Sequence, residues 1–258
     1  MTAPERLRSP RLDERLAAMD SLAASGDADA ATVGALVECL AHQGKAIQRR
    51  AAETLKALAA RGVAVRDVLL QALQSAAPAQ RWGAAYALSL LGAPPSEALP
   101  VLLECLGADD GDVRWAAAAI LAHMPEPALD ATLCGLLRSG NARQRKMAAY
   151  CLRDRAAHLP TIEQAMLEAT SDPEPGVRMA AMSGLARVSA EPALAAQRLV
   201  TMFDDPDAGV RRAAAAALGV LGYRSDAVLA ALRAATGSPD ASLQRAAGRS
   251  LRQLGSAA

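Results

Sequence analysis

Three histidines (His42, His123, His158), four cysteines (Cys39, Cys105, Cys134, Cys151) and the acidic run Asp109, Asp110 and Asp112 are the side chains that could hold a metal or attack a substrate. Their spacing argues against both. The histidines share no register and none is followed by glutamate, so neither a zinc nor a di-iron ligand set is expected. In the acidic run Arg114 stands where a calcium loop would place a third oxygen ligand, and helix capping is the expected role. No serine or cysteine carries a glycine-rich elbow or a histidine in its motif, and no phosphate-cradling glycine loop occurs. The cysteines lie in apolar helical patterns without metal-ligand spacing, which predicts reduced, buried thiols. No catalytic residue, metal or cofactor is therefore expected, and the chain reads as non-enzymatic.

What remains is charge and aromatic surface, and both recur with a period. Anchors taken one residue before a recurrent arginine fall at Ile47, Gln80, Val113, Gln144, Val177, Val210 and Leu243, spaced by 33, 33, 31, 33, 33 and 33 residues, with Glu14 as a degenerate eighth. The arginine column itself (Arg15, Arg81, Arg114, Arg145, Arg178, Arg211, with Gln48 and Gln244 replacing it) is expected to pair with acids in nearby turns, Asp110, Glu174, Asp207 and Asp240 being placed for it. The columns two, six and nine places after the anchor form a second stripe. It contains Arg49, Glu53 and Lys56, then Trp82 and Tyr86, Trp115, Lys146, Tyr150 and Arg153, Met179, Arg212, and Arg245, Arg249 and Arg252, with Asp20 near its start. Eight basic residues meet two acids here, in a chain whose formal net charge is +1, and four of its six aromatic residues fall on the stripe. Rings on an exposed face with arginine at the rim suit binding anchors. Alternatively, the rings cover gaps between neighbouring helices.

Helices must position these columns. Four places after each anchor stands alanine (Ala18, Ala51, Ala84, Ala117, Ala148, Ala181, Ala214, Ala247), and eight places after it leucine (Leu22, Leu55, Leu88, Leu121, Leu152, Leu185, Leu218, Leu251). That is the buried face of a helix, with alanine permitting close approach and leucine filling the space a turn later. An apolar column eleven residues before the anchor (Leu36, Leu69, Leu102, Leu133, Met166, Leu199, Leu232) marks a preceding helix, so each unit is a helical hairpin. Cys39 and Cys105 share one column of these first helices, as core residues would. Asp172-Pro173-Glu174, Asp205-Pro206-Asp207 and Ser238-Pro239-Asp240 are expected to start the second helices, with proline at the first helical position, and Gly92, Gly222 and Gly255 to end them. The period runs without a break, which predicts a single array over 12–258, one N-terminal helix plus seven hairpins, behind a flexible tail over 1–11. The short spacing before Gln144 predicts a local change of curvature near 138–145.

Composition agrees: hydrophobic residues make up 52% and aromatics 2%, and about a quarter of the chain is alanine, which favours helix against helix over pleated faces. No apolar stretch reaches roughly 18 residues and the start lacks an apolar signal core, so no membrane span and a cytoplasmic location are expected.

Val177-Arg178-Met179-Ala180-Ala181 with Leu185, and Asp205-Pro206-Asp207 leading to Val210-Arg211-Arg212-Ala213-Ala214, Leu218, Leu221 and Gly222, resemble HEAT repeats, most of all the short bacterial form also found in phycobilisome lyases. The resemblance covers about Leu12 to Gly255. It implies an all-α, right-handed solenoid whose second helices line a concave side that holds another macromolecule. The leading expectation is a protein-interaction scaffold or adaptor, holding an acidic or extended partner segment through Trp82, Tyr86, Trp115, Tyr150, Lys146, Arg153, Arg49, Arg212, Arg245 and Arg249. Two alternatives follow from relatives of the same fold. HEAT-like DNA glycosylases use a basic concave face with tryptophans, but they also need an acid in the aromatic pocket, which no stripe position between Trp82 and Arg153 supplies. A tetrapyrrole lyase or chaperone is the other, since rings and arginines suit a flat ligand bearing carboxylates. The His-Glu pairs of HEAT-like deoxyhypusine hydroxylases are absent from the sequence.

Overall fold

The computed structural model describes residues 1–92, 94–126 and 128–255, and among these sixteen α-helices and two short 3-10 turns make up the regular structure. The chain divides into two compact units, Met1–Cys105 and Leu106–Ala258. The first contains α1 (Ala3–Leu7), α2 (Leu12–Ser25), α3 (Ala30–Cys39), α4 (Lys45–Ala60), α5 (Arg66–Ala72), α6 (Pro78–Leu90) and α7 (Leu99–Cys105). The second contains α8 (Gly111–His123), α9 (Leu129–Ser139), α10 (Ala142–Arg155), α11 (Pro160–Ala169), α12 (Pro175–Val188), α13 (Pro192–Thr201), α14 (Ala208–Leu221), α15 (Asp226–Thr236) and α16 (Ala241–Gln253). None of the described helices is long and apolar enough to cross a membrane.

The repeating columns are the cores of both units. Within the first, α2 packs on α4 and α4 on α6; within the second, α8, α10, α12, α14 and α16 stack in succession. Every residue of the alanine column is at most 2% exposed and every residue of the leucine column at most 6%, and the first-helix column from Leu36 to Leu232 is fully buried. Alanine brings neighbouring second helices close, and each buried leucine contributes about 2 kcal/mol by leaving water. This is an all-α solenoid architecture of stacked helical hairpins.

The N-terminus departs from expectation. Within the segment expected to be a tail a short helix forms: Thr2 and Glu5 make a reciprocal cap, the Glu5 N–H donating to Thr2 Oγ1 at 3.4 Å and the Thr2 N–H to the Glu5 carboxylate at 2.7 Å. The helix they start, α1, packs on α2 and α3, with Leu7 only 1% exposed and Arg8 forking the Glu38 carboxylate at 2.8 Å through two nitrogens. The N-terminal helix is therefore paired, and α1 is an abbreviated eighth first helix.

The turns differ in detail too. The prolines of Asp172-Pro173-Glu174, Asp205-Pro206-Asp207 and Ser238-Pro239-Asp240 stand one residue before the N-cap, not at the first helical position, because the third residue of each triplet is the N-cap. The first residue of each accepts a hydrogen bond from the N–H two residues on: Asp172 from Glu174 at 2.9 Å, Asp205 from Asp207 at 2.9 Å, Ser238 from Asp240 at 3.2 Å. This side-chain turn places the N-cap. Asp207 and Asp240 then cap α14 and α16. Gly222 ends α14 at φ 72°, in the left-handed cap conformation. The two residues missing from the period fall between Val113 and Leu133, because Leu133 keeps the eleven-residue offset from Gln144 shared by the other first helices; the turn between α9 and α10 consists of Gly140 and Asn141. A Cβ at Gly140 would lie 2.7 Å from the Leu136 carbonyl oxygen and 2.9 Å from Gln144 Cβ, so only glycine fits.

Candidate functional site

The arginine column belongs to the turns. From its place in the first turn of the second helix, each side chain reaches back to the carbonyl six residues earlier: Arg81 to Ser75 at 3.1 Å, Arg114 to Ala108 at 2.6 Å, Arg178 to Asp172 at 2.9 Å and Arg211 to Asp205 at 2.7 Å. Gln48 and Gln244 do the same to His42 and Ser238, both at 2.6 Å, so glutamine preserves the carbonyl contact. Arg145, behind the two-residue turn between α9 and α10, reaches the carbonyl of Gly140, five residues earlier, at 2.9 Å. Three of these arginines also pair with acids other than those expected: Arg145 with Asp172 at 2.6 Å and Arg178 with Asp205 at 2.8 Å, each in the next turn, and Arg81 with Glu104 at 2.7 Å, whereas Arg178 Nε is buried without a hydrogen-bond partner. Burial pushes the Asp172 and Asp205 carboxyls up, but their hydrogen bonds from arginine and backbone N–H, with the arginine charges, outweigh it and hold both below the usual carboxylate range. These arginines are committed to the fold.

The stripe occupies the outer face of the second helices. In the second unit, Trp115 of α8 and Tyr150 of α10 pack with ring centroids 5.0 Å apart and planes at 32°. The Arg153 guanidinium lies 4.8 Å from the Tyr150 centroid while also pairing with Asp154 at 2.7 Å. Trp115 is 50% exposed and Tyr150 half-buried, so one ring projects and the other supports it. Farther along the same stack the face is basic. Helices α12, α14 and α16 contain Arg178, Arg187, Arg211, Arg212, Arg245, Arg249 and Arg252 and no acidic residue. Arg187, Arg212, Arg245, Arg249 and Arg252 are all exposed, and Lys146 of α10 is half-buried with its stem over Gly176.

Between α12 and α14 a cleft of about 320 Å³ opens, lined by Met179, Ser183, Ala186, Ala213, Ala216, Ala217 and Val220, with Arg153 and Arg187 at its edges. Of its lining, sequence reasoning put Arg153 and Met179 on the stripe but missed Arg187 and the 60%-exposed Val220, ten residues after their anchors. Arg187, Val220 and Gln253 share that column without sharing a type, which is why it carried no signal.

The first unit holds the other site residues. Trp82 and Tyr86, one turn apart on α6, are half-buried with centroids 5.7 Å apart at 36°. Arg49 of α4 is exposed, but its surroundings are mixed in charge: Arg50 pairs with Asp20 and lies 3.6 Å from Glu53.

The residues weighed for chemistry take structural places. Asp110 caps α8 through the Asp112 N–H at 2.8 Å, and Asp109 pairs with Arg143. His42 Nδ1 accepts the Gly44 N–H at 2.8 Å, and His123 Nδ1 lies 2.9 Å from the Ala119 carbonyl. All four cysteines are free and buried, and burial pushes the Cys105 and Cys151 thiols up to about 12. Among the described residues no group of three or more His, Cys, Asp or Glu could hold a metal ion. A buried acid that sequence reasoning passed over, Glu163 of α11, accepts the Ser189 hydroxyl and the Ala190 and Glu191 N–H groups at 3.1 and 3.3 Å, tying the turn between α12 and α13 to the neighbouring hairpin.

Comparison with known proteins accords with this geometry. The family model described as HEAT repeats matches residues 35–122, 66–153, 129–219 and 196–258. No curated protein matches. Among solved structures, the Escherichia coli protein YibA is similar at 18% identity over 98% of this chain and 91% of its own, with a TM-score of 0.61. An engineered protein is similar at 22% identity over 98% and 77%, with a TM-score of 0.51. At such identities the likeness shows the fold alone. With matched repeats running from residue 35 to residue 258 and one alanine-leucine stacking pattern in both units, the chain belongs to the HEAT-repeat family.

Proposed function

We propose that this protein is a non-enzymatic adaptor that binds an acidic segment of another protein on the second-helix face of its second unit. The observation that carries this reading is the set of five exposed arginines on α12, α14 and α16 (Arg187, Arg212, Arg245, Arg249 and Arg252), helices that contain no acid, in a chain of formal net charge +1. HEAT repeats generally mediate protein interaction, which supports a protein as the partner. The exposed arginines would speed association and fix orientation, whereas half-exposed Trp115, supported by Tyr150, would supply affinity by burying ring area. Lys146 and Arg153 extend the basic surface to α10. Trp82, Tyr86 and Arg49 form a separate candidate contact region within the first unit.

Affinity capture with the wild-type chain and an R212E/R249E variant side by side, each with and without nuclease, tests this. Both positions are exposed, so the variant should fold. An acidic protein retained by wild type and lost by the variant is expected. If the two baits retain the same set, or only nucleic acid is retained without nuclease, the assignment is wrong.

A further inference from the structure

Building on the acidic-partner reading above, we infer that the face of the second unit takes a segment with an apolar centre and carboxylates at both ends. Charge on this face is not uniform across the stack. At the three stripe levels, α10 presents Lys146, Tyr150 and Arg153, and α16 presents Arg245, Arg249 and Arg252. Between them, α12 presents Met179, Ser183 and Ala186, and α14 adds Ala216 and Gly219, with Arg212 alone at its first-turn end. The outer helices are basic, whereas the middle pair is mostly small and apolar and carries Arg187 and Arg212 as its exposed charges.

The cleft lies in that middle region. Its floor is alanine, from Ala213, Ala216 and Ala217, flanked by Met179, and Val220 stands 60% exposed at its rim. About 320 Å³ is room for an aliphatic side chain or two, and covering Val220 and Met179 would remove apolar surface from water. A purely acidic segment would leave this region wet and unused. Stacked helices lie about 8–10 Å apart, so α10 to α16 spans roughly 24–30 Å. An extended segment of about eight residues crosses it. Carboxylates near the ends of such a segment meet Lys146 and Arg153 on one side and the three arginines of α16 on the other, while its centre sits over the alanine floor.

The test uses the full chain and three fluorescent probes of equal charge: a peptide with four glutamates on each side of a Leu-Ala-Leu centre, the same peptide with serine for the leucines, and a single-stranded DNA oligonucleotide. Affinities are measured by anisotropy for wild type and for two uncharged cleft variants, Ala216→Trp and Val220→Ser, each at an exposed position that does not support the core. The leucine peptide should bind at least about tenfold tighter than the serine peptide. Either variant should remove that difference and leave serine-peptide binding unchanged. Equal affinity of the two peptides, or a difference that survives both variants, overturns the apolar centre while the acidic-partner reading stands. Failure of both peptides to bind, or an oligonucleotide that binds tighter than both, overturns the two together.

Discussion

Burial holds the Cys105 and Cys151 thiols near 12, and Cys39 and Cys134 are also raised by burial, so native protein at pH 8 carries little thiolate. A thiol-reactive disulfide reagent should label Cys105 and Cys151 at least about a hundredfold more slowly in the native protein than in denaturant; equal rates would contradict the packing. The ion pairs behave oppositely to the thiols. Asp172 and Asp205 are held below their unfolded values by arginine and backbone N–H groups, so their contribution is complete above about pH 5 and is lost as pH falls through about 4 and below. Melting curves from pH 7 to pH 3 should show this loss, and Asp172→Asn should melt lower at neutral pH with a flatter acid limb. Ala156, at φ 52°, is the one described non-glycine residue in the left-handed region, at the end of α10. Ala156→Gly should raise stability by about 0.5–1 kcal/mol in urea melts.

At the scale of the element, the hairpin was legible because one alanine and one leucine recur at fixed offsets, and such a period has few packing solutions. Leu185, fully buried in α12, is representative: Leu185→Ala should cost about 3 kcal/mol by denaturant titration, whereas a cost below 1 kcal/mol would mean the column does not carry the stack. Helix α1 was not legible, since Leu7 is its only large apolar residue and the partner of the adjacent Arg8, Glu38, lies thirty residues away. The acids that receive Arg145 and Arg178 were misjudged for a related reason. Glu174 and Asp207 look well placed along the chain, but the side-chain turns at Asp172 and Asp205 bring those earlier carboxylates to the arginines of the preceding repeat. Gly140 closes the two-residue turn where a Cβ would strike a backbone oxygen, and Gly140→Ala should lower stability by about 1–3 kcal/mol.

For the molecule as a whole, a formal charge of +1 conceals segregation. In the second unit, acids gather in turns and first helices, at Glu163, Glu168, Asp172, Glu174, Asp205 and Asp207, whereas α12, α14 and α16 carry arginine only. The basic stripe was therefore visible in the sequence once the period was known. The cleft was not, because its edge residues Arg187 and Val220 share a column but no chemistry. The most direct measurement is the affinity of a fluorescent oligoglutamate peptide for wild type and for R212E/R249E across salt concentrations. An acidic-partner face predicts binding that weakens with salt and falls about tenfold in the variant at low salt, with a shallower salt dependence. Equal affinity of the two proteins at every salt concentration would contradict it.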